Sequence, residues 1–597
     1  MGEPQTTSPH VLFFSAPAQG NINVMLKLAQ LLSLSSVRVT FLTTEHSYRQ
    51  LTLHSDVLRR FSLFPSFQFR TISDGLPLSH PRTFSHHLPE MFHSFVSVTK
   101  PLFRDMLVSP HFSSDLSCLI LDGFFSYLLD IDDDFVKVPI FCFRTFSACS
   151  TWTIFSIPNL IKQGQLPIKG EEDMDRILDN VPGMENLLRC RDLPGFCRPT
   201  DPNNDPILQF IVSAFIRSTK FNALIMNTFE DLEGPILSNI RTLCPNLYSI
   251  GPLHALLKTK VSHETESLNN LWEVDRSCLT WLDNQPAGSV IYVSFGSITV
   301  MGNRELMEFW HGLVNSGRNF LWVIRPDLVK GKNGEIEIPA ELEEGTKQRG
   351  YMVGWTPQEK VLCHEAVGGF LTHSGWNSTL ESIVAGKPMI CWPFGFDQQV
   401  NSRFVSNMWN LGLDMKDLCD RETVAKMVND VMVNRKEEFV RSATEIANLA
   451  RRSVKPGGSS YANFDRLIED IRNLSRKKTA PRGVRVASCG AIRCKLQADI
   501  LLLSCIKVLI VKPRSSIHLP FMLRSRASSR RVSVSQAKTS LSHLHAVEQD
   551  LFRADPFSVP LNCVYKPTSL LQASRPAPRS TLHVVFRFSS YTAPALL

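Results

Sequence analysis

Apolar residues along this chain cluster in short unbroken runs separated by stretches of helical spacing. His10–Ser15, Val37–Leu42 (VRVTFL), Leu116–Asp122 (LSCLILD), Val138–Phe143 and Ala223–Asn227 (ALIMN) are apolar at most positions. That is the pattern of a parallel strand covered on both faces. Between the first two runs, Ala16–Asn21 reads as a loop, and Asn23–Leu32 carries Val24, Leu28, Leu31 and Leu32 at helical spacing. A strand–helix–strand opening predicts a doubly wound α/β domain. Polar, weakly patterned sequence from Lys258 to Arg276 reads as a linker, after which the pattern restarts. Ser289–Phe295, Phe320–Ile324, Gly369–Thr372 and Pro388–Cys391 are the second set of strands, and helical periodicity dominates Glu422–Arg472. The expected organisation is an amino-terminal α/β domain over 1–250, a linker over 251–278, and a second α/β domain with closing helices over 279–478.

From about Lys477 the pattern is lost: Ser and Arg are frequent and no period persists, so 479–597 is expected to be a basic, disordered or weakly structured tail. Charge follows the same division. The 597 residues carry a formal net charge of +8, but Thr479–Leu597 holds 17 Lys and Arg against 4 Asp and Glu. The remainder has 47 basic and 52 acidic residues, so the body is mildly acidic and is not expected to bind nucleic acid. Within the tail, Arg524–Arg531 has a composition that could touch RNA or an acidic surface, but a solvated extension is the expected reading and no nucleic-acid partner is expected.

Fourteen widely spaced Cys, with no CxxC pair, fit a reduced, cytoplasmic setting better than a disulfide scaffold. Met1–Pro9 is polar, Val11–Phe14 is too short for a signal-peptide core, and Ile500–Val511 is interrupted by Lys507. A span needs about 20 apolar residues, so no stable membrane insertion is expected. Asp132-Asp133-Asp134 are adjacent carboxylates that do not converge on one ion, and no metal is expected.

The most informative stretch is Trp355–Gln398, WTPQEKVLCHEAVGGFLTHSGWNSTLESIVAGKPMICWPFGFDQ. Gly369–Thr372 ends a strand, His373-Ser374-Gly375-Trp376-Asn377 is a small-residue loop, and Ser378 opens a helix that Gly386-Lys387-Pro388 stops. Free amides and the helix dipole at such a junction attract an anion. His373, Asn377 and Ser378 add side-chain donors, and a diphosphate fits the arrangement. Ser378-x-x-Glu381 is also a capping box, and Trp355 and Trp376 also suit a core.

That string closely resembles the signature box of plant family-1 UDP-glycosyltransferases. WLDNQPAGSVIYVSFGS at 281–297 and QQVNSRF at 398–404 resemble the same family, and the likeness covers about residues 10–475. FRTFSAC (143–149), PIKGEEDMDRILDNVPGMENLLRCRDLPGFCR (167–198) and DGLPLSHPRT (74–83) look most like its 7-deoxyloganetic acid glucosyltransferase-like subgroup. The resemblance implies the GT-B fold, two Rossmann-like domains facing across a cleft. It implies UDP-glucose as donor, no cofactor, a small lipophilic acceptor of terpenoid or iridoid kind, inversion at the anomeric carbon, and a monomer. Trp355 would stack on uracil with Gln358 near the base, and Glu381 would hold the ribose hydroxyls. Ser297, His373, Asn377 and Ser378 would meet the phosphates, and Trp376, Asp397 and Gln398 the sugar. Phe14, Asn21, Phe146 and Trp152 are candidates to line the acceptor pocket.

Two departures stand out. The family's first loop usually reads PAQGH, its His being the general base; here it reads Pro17-Ala18-Gln19-Gly20-Asn21. The Asp that supports the His is present as Asp122 in LILDGFF. Asn cannot take a proton near pH 7, and a positioned base is worth about 10²–10⁴ in rate. Asn21 is therefore expected to cap its helix or orient the acceptor. Three outcomes are open: an acceptor acidic enough to arrive ionised, Asp122 itself as base, or a weak or inactive sugar-nucleotide binder. The second departure is Phe396, where a small residue is usual before Asp397; Gly395 beside it is expected to absorb the strain.

Overall fold

The computed structural model describes residues 8–128, 138–261, 269–325, 327–328 and 340–479. The expected tail (479–597, with Arg524–Arg531 and Ile500–Val511) lies almost wholly outside the described residues, as do Asp132-Asp133-Asp134.

Thirteen strands are described, in two wholly parallel sheets. The first contains β1 (His10–Phe14), β2 (Arg38–Thr44), β3 (Phe67–Ile72), β4 (Cys118–Asp122), β5 (Ile140–Arg144), β6 (Ala223–Met226) and β7 (Leu247–Ser249), in the order β3-β2-β1-β4-β5-β6-β7. The second contains β8 (Val290–Ser294), β9 (Asn319–Val323), β10 (Gly350–Val353), β11 (Val367–Thr372), β12 (Met389–Cys391) and β13 (Gly412–Asp414), in the order β10-β9-β8-β11-β12-β13. β1, β4, β5 and β8 are buried at every residue, because helices cover both faces of each sheet. This is the two-domain GT-B arrangement expected above.

Strand order reverses between β1 and β4 in one sheet and between β8 and β11 in the other. At such switch points the loops leaving the strands' carboxyl ends diverge and open a crevice. The two crevices face each other.

Three details differ from expectation. The first helix runs Gln19–Leu34, with Ala18 as an extended N-cap. Asn21 thus lies inside the first turn and is not the cap. The 251–278 stretch is not all linker: Leu253–Lys260 is a helix whose Leu253, Leu256 and Leu257 enter the first sheet's core. The last helix, Ser459–Thr479, returns to the first sheet, where Phe464, Leu467, Ile468 and Ile471 pack with Val37 and Tyr248. Tyr248 Oη donates to Asp470 at 2.6 Å, and Asn463 Nδ2 donates to the Ser249 carbonyl at 3.2 Å. Among the described residues no helix is long and apolar enough to cross a membrane.

Candidate functional site

A cavity of about 450 Å³ lies where the two switch points meet, lined from both domains. Its walls include Asn21, Ser297, Trp355, Gln358, His373, Trp376, Asn377, Ser378, Glu381, Phe396, Asp397, Gln398 and Phe146. Phe14 and Trp152 do not line it. Phe14 is fully buried, its ring 4.6 Å from those of both Phe103 and Phe125. Trp152 turns away to donate its indole N–H to the Pro182 carbonyl at 2.8 Å.

On the second domain, the helix Trp376–Ala385 begins directly under the cavity. Its N-cap is Gly375, not Ser378, so the Ser378–Glu381 pair is not a capping box. Instead Gln358 Nε2 bridges both, 2.9 Å from Ser378 Oγ and 2.8 Å from Glu381 Oε2. Thr379 N–H reaches the Gly375 carbonyl, while the amides of Asn377 and Ser378 have no backbone partner. His373 sits between Gly296 and Gly375, where an added Cβ would come within 2.3 and 2.5 Å of its Nε2. Burial, with the Arg325 charge, lowers its pKa to about 3. The ring is therefore neutral, and its buried Nδ1 has no partner. A neutral ring with an unsatisfied nitrogen, beside free helix amides, suits a phosphate oxygen.

Trp355 is half-buried. Trp272 stacks on it at 4.9 Å and 28°, and Asn270 Oδ1 accepts its indole N–H at 3.3 Å. Trp272 lies in the polar stretch expected to be linker, where a lone Trp is a usable signal of a packed site. Glu381 is pushed above the usual carboxylate range by burial and the adjacent Glu359 charge. Glu359 stays ionised despite burial, because Lys27 and Lys258 from the first domain reach it at 2.8 and 2.9 Å. Asp397 is pushed to about 7 by burial, against the hydrogen bond it accepts from Asn401 at 2.9 Å. Gln398 Oε1 accepts from the amides of Phe394 and Gly395 at 2.7 and 2.9 Å. The strain expected of Gly395 falls on Phe396 itself, which takes a left-handed φ of 59°.

On the first domain, Asn21 Nδ2 donates to Asp122 Oδ2 at 2.9 Å and to Thr145 Oγ1 at 3.2 Å. Both amide hydrogens are thereby spent, and Oδ1 is left as an acceptor. Asp122 is fully buried and also accepts from the amides of Ala16 (3.1 Å) and Phe124 (2.9 Å). Burial raises its pKa. With no exposed surface it does not touch the cavity, which weighs against direct proton transfer to it.

The domains are stitched at the cavity's edge. Asn377 Nδ2 donates to the Gly20 carbonyl at 2.7 Å, Trp376 Nε1 to the Asn227 carbonyl at 2.8 Å, and Ser147 Oγ to Asn401 Oδ1 at 2.7 Å. Among the described residues no group of three or more His, Cys, Asp or Glu is arranged to hold a metal ion.

Comparison with known proteins agrees with this geometry. A family profile described as "UDP-glucoronosyl and UDP-glucosyl transferase" matches residues 207–447. The chain is 53% identical over 486 residues to a 7-deoxyloganetic acid glucosyltransferase of Catharanthus roseus, covering 79% of this chain and 100% of that protein. It is 40% identical over 474 residues to a 7-deoxyloganetin glucosyltransferase of Gardenia jasminoides, covering 77% and 97%. Among solved structures it is similar to Os79 from O. sativa in complex with UDP, with a TM-score of 0.65 and 27% identity over 77% of this chain and 100% of that one.

Proposed function

This chain belongs to the UDP-glucoronosyl and UDP-glucosyl transferase family and is a glycosyltransferase, and on that premise we propose that it moves glucose from UDP-glucose to a small lipophilic acceptor of iridoid or terpenoid kind, inverting the anomeric carbon. One observation supports the reading: one cavity joins the Trp355 indole, the Glu381 carboxyl, a helix start with free amides and a polar wall from the other domain.

Uracil lies on the face of Trp355 that Trp272 leaves open. Glu381, held by Gln358, accepts from the ribose diol, since a carboxylate takes two hydrogen bonds. The diphosphate rests on the Asn377 and Ser378 amides, with His373 and Ser297 beside it. Glucose meets Asp397, Gln398 and the Trp376 turn. An acceptor oxygen entering from the Asn21 side bonds to the anomeric carbon as the bond to the β-phosphate breaks. The electron pair leaves with UDP, and the acceptor's proton goes to water. Asn21 Oδ1 orients the acceptor hydroxyl but takes no proton. The reaction therefore favours an acidic oxygen, such as a carboxylic, enolic or hemiacetal hydroxyl.

Asn21 also favours a second reading, a weak or inactive UDP-sugar-binding relative. The test is UDP-glucose with an acceptor panel of 7-deoxyloganetic acid, its methyl ester, a neutral monoterpenoid alcohol and a flavonol. Wild type is run beside Asn21→His, following UDP release and glucoside mass. Glucoside from wild type supports the first reading. Saturable UDP binding without product, with turnover gained in Asn21→His, supports the second.

A further inference from the structure

Beside Asn21 and Thr145, at the end of β5, stands Arg144, which lines the cavity yet is only 3% exposed. Its guanidinium lies over the Phe215 ring at 3.7 Å and against Gly123, where an added Cβ would meet Nη1 at 2.8 Å and Cδ at 2.9 Å. Phe215 and Gly123 line the same cavity. A guanidinium has five N–H donors, and here one makes a short bond, Nη2 to Ser218 Oγ at 2.7 Å. The contacts to the Gly123 and Ala214 carbonyls are long, at 3.4 and 3.5 Å, and buried Nε has no partner. Arg144 makes no ion pair among the described residues. Asp122 is the carboxylate whose charge it senses, and that group is already saturated by Ala16, Asn21 and Phe124. A buried cation without a paired anion is costly, so this wall is built short of one negative charge.

We infer that Arg144 anchors a carboxylate on the acceptor molecule, a group separate from the oxygen that receives glucose. The acceptor class is then a small, mostly apolar hydroxy acid: its carboxylate meets the guanidinium, its ring system meets Phe124, Phe146 and Phe215, and its hydroxyl is turned to Asn21. The inference rests on the glucosyl-transfer reading above and adds to it the residue that selects an acid acceptor over its neutral ester.

The test compares a cyclic hydroxy-monoterpenoid acid with its methyl ester as acceptors. A charge-assisted bond makes wild-type kcat/KM for the acid exceed that for the ester by roughly 10- to 100-fold, mostly through KM. Arg144→Gln brings the ratio to within about threefold, and Arg144→Lys retains part of it. Gly123→Ala, which leaves the charge but crowds the guanidinium, also lowers it. UDP binding by calorimetry reports whether each variant is folded. A wild-type ratio near one overturns the inference, as does a ratio that survives in folded Arg144→Gln. If Arg144→Gln does not fold, the wild-type ratio and Gly123→Ala decide. If no acceptor is glucosylated at all, it is the transferase reading that fails. Calorimetric binding of acid against ester to the UDP-loaded protein then decides whether Arg144 holds a carboxylate.

Discussion

Replacing Asn21 by His puts a titratable ring where the wild-type protein has an amide. The wild-type Nδ2 lies 2.9 Å from Asp122 Oδ2, so one imidazole N–H can replace that bond while the other nitrogen faces the cavity. The larger ring has room, because Asn21 forms part of the wall of a 450 Å³ space. A general base so supported by a buried carboxylate is worth about 10²–10⁴ in rate, or about 3–5 kcal/mol of barrier. The gain belongs to acceptors whose hydroxyl must lose its proton during attack. For an acceptor attacking through an ionised carboxylate, less than about tenfold is expected, because no proton remains to be removed. The assay is steady-state glucoside formation on a neutral monoterpenoid alcohol and on a simple carboxylic acid, from pH 5 to 9. Asn21→His should raise kcat for the alcohol and add a rising limb near the pKa of the new His; the acid should change little. The reasoning is refuted if Asn21→His binds UDP normally yet shows neither gain nor limb. It is equally refuted if wild type already glucosylates the alcohol with a base limb of its own.

Three further outcomes are expected. Trp355→Ala removes the stacking surface for the base and should weaken UDP binding by about 1–3 kcal/mol, read by calorimetry, with inorganic diphosphate binding much less affected. Asp397, raised to about 7 by burial, costs the fold stability as pH rises from about 4 to 7, since the folded state favours the neutral acid. Asp397→Asn should therefore raise the free energy of unfolding, and with it Tm, at pH 8 but not at pH 4, by an amount on the order of 4 kcal/mol. If the ionised form serves the sugar hydroxyls, wild-type KM for UDP-glucose should also climb as pH drops below about 7. Lys27→Met leaves Glu359 with Lys258 as its remaining ion-pair partner. It should lower Tm by a few degrees and weaken uridine binding, because Glu381 then titrates higher still.

The central strands were legible because a parallel strand buried on both faces is apolar at almost every position. The same property hid orientation. A run such as HVLFF does not say which Phe faces which layer, and Phe14 proved to point into the core beside Phe103 and Phe125. β3, six half-exposed residues at a sheet edge, and β7, β10 and β13, three or four residues each and also at edges, gave too little pattern to read. The residues assigned to the donor, Ser297 apart, could be picked out because they fall within one 44-residue string, and the structure gathers them on one cavity wall. Its support was not: Trp272, Lys27 and Lys258 arrive from other segments and carry no local signal. Arg144 falls just beyond the apolar run Val138–Phe143, and only packing against Phe215 and Gly123 shows it to be a buried cation.

The helix Ser459–Thr479 completes the core of the domain that was synthesised first. During translation that domain waits, its Val37 and Tyr248 surface uncovered, until the helix has left the ribosome. Chimeras between relatives should therefore not be cut at the visible joint alone. A donor-half transplant that brings its own final helix imports a foreign patch into the acceptor half, whereas one that exchanges only 279–458 keeps that helix with the core it covers.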